Sequence, residues 1–104
     1  MQTRFDSGVV YTRRARIDLL EIGQYTLQNW GAKQTVRYLT ALQDCCSRLA
    51  LYPLLGRACD DLKEGLRRME QGQHIIFYRL HSDGILVSRI LHRSMLPELH
   101  SMEE

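Results

Sequence analysis

The stretch that decides the fold is residues 74–93, which reads HIIFYRLHSDGILVSRILHR. Two runs rich in apolar and β-branched residues, 74–80 and 85–91, flank the tetrapeptide His81-Ser82-Asp83-Gly84. An Asp-Gly step between two such runs predicts a β-hairpin, because the tight turn needs backbone angles that glycine tolerates best. Both runs are nearly continuous in apolar residues, which predicts central strands covered on at least one face.

Two predicted helices upstream supply that cover. The first begins at Thr12, whose hydroxyl is a good N-cap, and Gly31 is the natural left-handed residue after its end. Its apolar residues recur every three or four positions, on one helical face: Ala15, Leu19, Ile22 and Tyr25. The second helix begins near Ala32 and stops before Pro53. Its apolar stripe consists of Val36, Leu39, Leu42, Cys46 and Leu49. The short connection predicts an antiparallel helical hairpin.

The remaining predicted strands are shorter. One lies within residues 8–11 and another at residues 66–69, while residues 54–63 are predicted as a connection. The resulting order is β-α-α-β-β-β, an α+β fold in which the helical hairpin packs on a small antiparallel sheet. A chain of 104 residues has room for one domain, residues 1–104. Residues 1–7 and 97–104 are predicted to be flexible ends.

Composition excludes several functional classes. At 44% hydrophobic and 25% charged residues the chain is typical of a globular protein, without a membrane-length apolar run or a signal peptide. We therefore expect a cytoplasmic protein without membrane contacts. Three cysteines without a CxxC motif predict neither disulfides nor a metal site, and no motif predicts a cofactor. A net charge of +2 is too small to predict stable nucleic-acid binding.

Basic side chains recur along the second half of the chain, which favours a specific acidic partner. They are Arg57, Lys63, Arg67, Arg68, Arg79, Arg89 and Arg93. Strict alternation along the last strand would place Arg89 and Arg93 on one face, with Ile85, Val87 and Leu91. Guanidinium groups on such an apolar face need either a binding groove or an internal carboxylate. Both interpretations stay open, and the candidate internal carboxylates are Asp18, Glu21 and Glu64.

Two further residues are candidates for function. Alternation would place His92 opposite Arg89, where a structural histidine is favoured over a general acid or base in RNA cleavage. Trp30 lies at the predicted tip of the helical hairpin, where exposure would make it an anchor for a partner. The other aromatic residues are interpreted as core.

A set of short motifs covers residues 9–96 in a fixed order. The first part consists of Tyr11-Thr12, Ala15, Asp18-Leu19, Ile22, Tyr25 and Trp30-Gly31. The second consists of Leu49, Pro53, Gly56-Arg57, Gly65-Leu66-Arg67-Arg68, His74-Ile75-Ile76-Phe77-Tyr78-Arg79, Arg89-Ile90-Leu91-His92 and Met95. Together these motifs resemble the ParE toxins of the RelE/ParE superfamily. The resemblance implies a helical hairpin packed on a small antiparallel sheet.

The resemblance also implies a function. ParE toxins belong to type II toxin–antitoxin pairs, associated with growth arrest and plasmid stabilisation, and a small antitoxin neutralises each toxin. Unchecked, they trap the cleaved complex of DNA gyrase with DNA. RelE members instead cleave messenger RNA on the ribosome. The modest charge, the acidic tail and the absence of a tyrosine after Tyr78 favour the ParE branch.

The favoured interpretation is therefore a non-enzymatic inhibitor with two protein partners, an antitoxin and gyrase. We predict antitoxin contacts at Arg67, Arg79 and Arg89. We predict target contacts at Trp30, Arg93 and Met95, or more widely along residues 89–99. The first alternative is a RelE-like ribonuclease using His92, Arg93 and Arg89. The second is an inert member of the family that only binds its antitoxin.

Overall fold

The computed structural model describes residues 8–95, in which a layer of two helices covers one face of a β-sheet. The elements are β1 (Val9–Tyr11), α1 (Arg13–Trp30), α2 (Ala32–Leu51), a 3₁₀ turn (Pro53–Leu55), β2 (Arg57–Ala58), β3 (Arg67–Gln71), β4 (His74–His81) and β5 (Gly84–His92). The predicted α+β class is confirmed. The predicted flexible ends, residues 1–7 and 97–104, lie outside the described residues.

Both helices have the predicted bounds, and their caps explain why. The Thr12 hydroxyl accepts a hydrogen bond from the N–H of Ala15 at 3.0 Å and donates one to the Ser88 carbonyl at 2.8 Å. Gly31 has a φ of 88°, and its N–H donates to the Leu27 carbonyl at 3.1 Å. Glycine adopts this backbone conformation without the steric cost of a Cβ atom. The chain can therefore reverse direction in a single residue between the helices.

The sheet differs from the prediction in two ways. Its strand order is β1-β5-β4-β3-β2, and β2 to β5 are antiparallel, but β1 pairs with β5 in parallel. A parallel pair requires a crossover connection, and the helical hairpin begins that crossover directly after β1. The segment predicted as a connection also contains β2, in which Arg57 and Ala58 pair with Arg68 and Arg67. The sheet is therefore mixed and has five strands.

The predicted hairpin of β4 and β5 is confirmed, but the reason given for its glycine is wrong. The positive φ in the turn belongs to Ser82, at 46°. Gly84 is required because a Cβ atom at this position would collide with the carbonyl oxygen of Gly8. That oxygen accepts a hydrogen bond from the N–H of Ile85 at 2.9 Å. Glycine at position 84 therefore permits the close approach of β1 to β5.

The main hydrophobic core lies between the helices and the sheet. Its buried residues are Val9, Ala15, Ile22, Leu42, Cys45, Cys46, Leu49, Ala50, Ile76, Tyr78, Ile85, Val87 and Ile90. A smaller cluster lies on the other face of the sheet, under the segment that connects β2 to β3. It consists of Cys59, Leu66, Ile75, Phe77 and Leu91. The predicted packing of the two stripes against the strands of Ile76 and Ile90 is confirmed for residues 15–22 of the first stripe and residues 39–49 of the second.

Two members of the predicted stripes are not in the core. Tyr25 is 64% exposed and Val36 is 66% exposed. Both lie in the half of the helical hairpin that ends at Trp30 and Gly31, whereas the buried residues of α2 lie between Leu42 and Ala50. Helical periodicity gives the direction of a side chain but not the length of the sheet beneath it, so the prediction extended the core too far.

A β-bulge changes the phase of β5. Phe77 lies opposite Arg89 whereas Tyr78 lies opposite Val87, so Ser88 is the extra residue of the bulge. Alternation therefore does not continue through position 88. Val87 contributes to the main core and Leu91 to the smaller cluster. The prediction that Leu91 shares a face with Ile85 and Val87 is wrong.

The cysteines behave as small buried residues. Cys45, Cys46 and Cys59 are all free and buried, and burial raises the pKa of the Cys46 thiol to about 12. Within residues 8–95, no group of three histidine, cysteine or acidic side chains is placed to hold a metal ion. Neither α1 nor α2 combines the length and the apolar character needed to cross a membrane.

The core assignment predicts the effect of truncating Leu42. Leu42→Ala is expected to lower the free energy of unfolding by about 2–5 kcal/mol, because Leu42 is fully buried and its removal leaves a cavity. Val36→Ala in the same helix is the matched control, with an expected change below about 0.5 kcal/mol. Urea unfolding measures both values, and equal stabilities of the two variants would contradict the assignment.

Candidate functional site

A groove lies between the tip half of the helical hairpin and the ends of β4 and β5. We call it the hairpin groove, and its volume is about 780 Å³. Its lining residues are Asp18, Glu21, Ile22, Tyr25, Thr26, Trp30, Gln34, Tyr38, Gln73, His74, Arg89, Ile90, Leu91, His92, Ser94 and Met95. Most of the wall is apolar, and both the helices and the sheet contribute polar groups to it.

An internal ion pair forms part of the groove wall. Arg89 Nε donates to Asp18 Oδ2 at 2.9 Å, and Arg89 Nη2 donates to Asp18 Oδ1 at 3.0 Å. The N–H of Ile90 also donates to Asp18 Oδ2, at 2.9 Å. Only 12% of the Arg89 side chain is exposed, and its hydrogen bonds to Asp18 raise the pKa of Arg89. Of the two interpretations left open for Arg89, the structure shows the internal carboxylate, and it selects Asp18.

The β-bulge at Ser88 explains the composition of this wall. Arg89 lies on the helix side and reaches α1, and Ile90 belongs to the helix-facing core. His92 then lines the same groove as Arg89, so its predicted position on the opposite face is wrong. The extra residue at position 88 places Ile90 and His92 opposite Ile76 and His74 on the helix side, which strict alternation does not predict.

Two histidines and a tyrosine are in contact at the sheet side of the groove. The Tyr38 hydroxyl accepts from the N–H of Gln73 at 2.9 Å and lies 2.6 Å from Nδ1 of His74. A hydroxyl has one proton to donate, so we infer that Tyr38 donates it to an unprotonated Nδ1. His92 Nδ1 accepts from the N–H of Ser94 at 3.1 Å, and its ring lies edge-on to His74.

This arrangement disfavours the charged form of His74. Burial lowers the pKa of His74 and the nearby His92 lowers it further, while Asp18 acts in the opposite direction. Tyr38 and His74 were missing from the predicted site, because one was interpreted as core and the other as a strand residue. Their contact joins residues 36 positions apart, and no local pattern in the sequence indicates it.

The predicted target residues are partly brought together. Trp30 is 68% exposed at the helix tip, and it lines the hairpin groove together with Met95. Arg93 is exposed beyond the end of β5 and does not line the groove, and its guanidinium is 3.5 Å from the Gly72 carbonyl. Of the three residues of the ribonuclease alternative, His92 and Arg89 therefore line the groove and Arg93 lies outside it.

The predicted antitoxin residues are divided between two places. Arg67 and Arg79 line a smaller pocket of about 290 Å³ with Leu54, Leu66 and Leu80. Arg67 donates to the Gly56 carbonyl at 2.7 Å. Leu66 belongs to the cluster on the sheet face away from the helices, whereas Arg89 reaches α1 on the other face. A partner that contacts all three arginines must therefore extend around the sheet.

The class of protein is a small α+β domain with an apolar groove of a size that suits a peptide segment. A family model described as the ParE toxin of the type II toxin–antitoxin system parDE matches residues 9–97. The chain is 40% identical over 82 residues to Toxin ParE1 of Mycobacterium tuberculosis, covering 78% of this chain and 84% of that protein. It is 37% identical over 91 residues to Toxin ParE1 of Caulobacter vibrioides, covering 86% and 92%.

A solved structure agrees with the fold. The chromosomal ParDE toxin–antitoxin system from P. aeruginosa contains a chain that matches with a TM-score of 0.69 at 19% identity, covering 82% of this chain and 94% of that one. The chain described here belongs to the ParE toxin family, whose members are the toxin components of parDE type II toxin–antitoxin systems. The family resemblance drawn from the sequence motifs is thereby confirmed.

Substitution of Asp18 tests whether its ion pair with Arg89 stabilises the fold. Asp18→Ala is expected to lower the free energy of unfolding by about 3–5 kcal/mol, because Arg89 would be left buried without its carboxylate. Glu21→Ala, which removes an exposed carboxylate from the same helix, is expected to cost less than about 1 kcal/mol. The double variant Asp18→Leu/Arg89→Leu should recover most of the loss. Urea unfolding of the parent protein and the three variants measures these changes. If Asp18→Ala is as stable as the parent protein, the ion pair does not stabilise the fold.

The lowered pKa of His74 predicts that the free energy of unfolding depends on pH. Its folded-state pKa lies below the ordinary value of 6.5, so the unfolded chain takes up a proton first as the pH falls. His74 therefore leaves stability unaffected above pH 6.5 and reduces it progressively below that value. His74→Gln should lose less stability than the parent protein between about pH 7.5 and about pH 5.5. Urea unfolding at both pH values measures this, and identical losses would show that His74 carries no such effect.

Proposed function

We propose that this chain arrests growth by binding DNA gyrase and trapping the cleaved gyrase–DNA complex, and that its antitoxin neutralises it by occupying the hairpin groove. Membership of the ParE family supports this proposal, since the motif resemblance implies gyrase as the target. Gyrase and its DNA are cytoplasmic, so we place the toxin and both of its partners in the cytoplasm.

One observation carries the proposal: exposed apolar side chains line the hairpin groove, and the Asp18 carboxylate and the Arg89 guanidinium in its wall are bonded to each other. Tyr25, Trp30 and Met95 are all exposed at its rim. Large exposed aromatic side chains beside an apolar wall are typical of surfaces that bind another protein. The ion pair of Asp18 and Arg89 contributes a fixed wall to such a surface.

The same geometry favours binding over RNA cleavage. A ribonuclease needs a cationic group that can approach the scissile phosphate and a histidine that can exchange a proton. Arg89 is held by two hydrogen bonds to Asp18, so its charge is already compensated. Arg93 lies outside the groove. The RelE-like activity is therefore the second candidate, and the inert antitoxin-binding member is the third.

The two pockets suggest how an antitoxin would bind. An extended acidic segment can place apolar side chains in the hairpin groove and carboxylates beside Arg67 and Arg79. The outer edge of β3 beyond Arg68 offers a route between the two faces, because β2 pairs only with Arg67 and Arg68. Strand addition at this edge would use the backbone groups of residues 69–71. Trp30 and Met95 would then be covered, so neutralisation would be a direct competition with gyrase.

A pair of assays tests the function. Purified protein is expected to accumulate linear DNA in a gyrase cleavage assay and to leave messenger RNA intact in a translating extract. Trp30→Ala and Met95→Ala should each weaken the gyrase effect by about tenfold or more, because each removes an anchor from the groove rim. Leu51→Ala is the matched control, since Leu51 is exposed at the far end of α2 from the tip.

The competition is tested in the same assay. Adding the cognate antitoxin before gyrase should abolish the cleavage complex. Cleavage of messenger RNA at codon-spaced positions without any effect on gyrase would overturn the proposal, and His92 and Arg89 would then be the residues to test for catalysis.

A further inference from the structure

The solvent-facing side of α1 carries an apolar seam that nothing in residues 8–95 covers. Ile17, Leu20 and Leu27 are 42%, 68% and 53% exposed. Arg13 and Gln24 lie on the same line of the helix. The resulting positions 13, 17, 20, 24 and 27 are separated by four, three, four and three residues. This is the a/d spacing of a heptad, which forms a narrow stripe along a helix. We call these five positions the outer seam.

The outer seam is separate from the hairpin groove. Leu20 and the buried Ile22 differ by two positions, which is a rotation of about 200° around an α-helix. The groove uses Asp18, Ile22 and Tyr25 on the inner side of α1, and the seam lies on the opposite side. A partner on the seam therefore leaves the groove accessible.

The charges beside the seam are mostly positive. The first turn of α1 contains Arg13 and Arg14, with Arg16 next to it, and no acidic residue. None of the three forms an ion pair with a described residue. Cations at this end of a helix oppose the helix dipole, and an external anion would relieve that repulsion.

The imbalance extends over both helices. Their exposed basic residues are Arg13, Arg14, Arg16, Lys33, Arg37 and Arg48. Their exposed carboxylates are Glu21 and Asp44 only, within the described residues. The outer surface of the helical hairpin is therefore suited to a partner of negative charge.

We propose that the outer seam binds an acidic amphipathic helix of a partner protein. Leu20 and Leu27 provide the apolar contacts between the two helices, and carboxylates of the partner pair with Arg14 and Arg16, which flank the seam. Gln24 is the polar residue at the centre of the seam. A single polar residue at such a position fixes the register of two paired helices.

The shape and charge of the seam favour this occupant over two others. A helix that lies on a membrane surface usually presents a broad apolar face with aromatic residues, whereas the seam is narrow and contains no aromatic residue. Parallel pairing with a second copy of this chain would bring the two Arg13 side chains together, with Glu21 as the flanking carboxylate within reach of Arg16. Antiparallel pairing would place the arginines of the first turn beside uncharged Gln28 and Asn29. Either arrangement leaves most of the positive charge of the first turn uncompensated.

Binding at the outer seam does not depend on gyrase or on the hairpin groove. The seam proposal can therefore fail while the proposed function holds, and the proposed function can fail while the seam proposal holds. The probes are two labelled synthetic helices of about 21 residues with the same leucine seam. One has glutamate and the other has lysine at the flanking positions. Fluorescence anisotropy of each peptide, titrated with the full chain, gives the dissociation constants.

The glutamate peptide is expected to bind at least about tenfold more tightly than the lysine peptide, and to weaken as NaCl is raised from about 50 to about 500 mM. Leu20→Ser/Leu27→Ser should reduce the affinity for the glutamate peptide by about tenfold or more, because it removes the apolar contacts. Arg14→Gln/Arg16→Gln should flatten its salt dependence.

Two controls separate the seam from other surfaces. Leu80→Ser removes an exposed leucine at the end of β4, and Trp30→Ala removes the anchor of the groove. Both should bind the glutamate peptide as the parent protein does, and urea unfolding confirms that every variant is folded.

Equal binding of the two peptides would overturn the proposal, as would unchanged affinity after Leu20→Ser/Leu27→Ser. Seam-dependent binding to anionic vesicles, or self-association lost in that variant, would assign the seam to a membrane or to a second copy instead.

Discussion

A carboxylate on the inner face of a helix has to be surrounded by donors, and Asp18 accepts three hydrogen bonds from two consecutive residues of β5. Two come from the Arg89 guanidinium and one from the N–H of Ile90. These bonds fix the rotation of α1 relative to the sheet, because a buried carboxylate that lost them would be costly. With α1 held in this way, Tyr25 and Trp30 lie over the ends of β4 and β5 and the groove exists between them.

Much of the architecture could be predicted because its determinants are local. Thr12 and Gly31 bound the first helix through their own hydrogen bonds and backbone angles, and Leu42 is buried where the apolar stripe placed it. The strand β1 was predicted, but its parallel pairing with β5 could not be, because the residues that accommodate this pairing, Gly8 and Gly84, are distant in sequence. The extent of the core was overestimated at Tyr25 and Val36, since helical periodicity contains no information about where the sheet ends.

The candidate site was less predictable than the fold. Exposure of Trp30 followed from its position at a turn, and Asp18 was among three carboxylates considered for Arg89. The bulge at Ser88 has no sequence signal that distinguishes it from a regular strand residue, so His92 was placed on the wrong face. The hydrogen bond between Tyr38 and His74 could not be predicted either, because it depends on how α2 is placed over β4.

The same long-range bonds determine when the protein acquires its groove during synthesis. Thr12 and Ser88 are 76 positions apart, and Asp18 and Arg89 are 71 positions apart. A nascent chain emerges N-terminus first at about 5–20 residues per second, so β5 becomes available only several seconds after α1. The helical hairpin has short-range contacts and can form early, whereas β1 has to wait for its partner strand. A chain interrupted before Gly84 therefore has a helical hairpin but no groove, and the groove can form only after β5 has been synthesised.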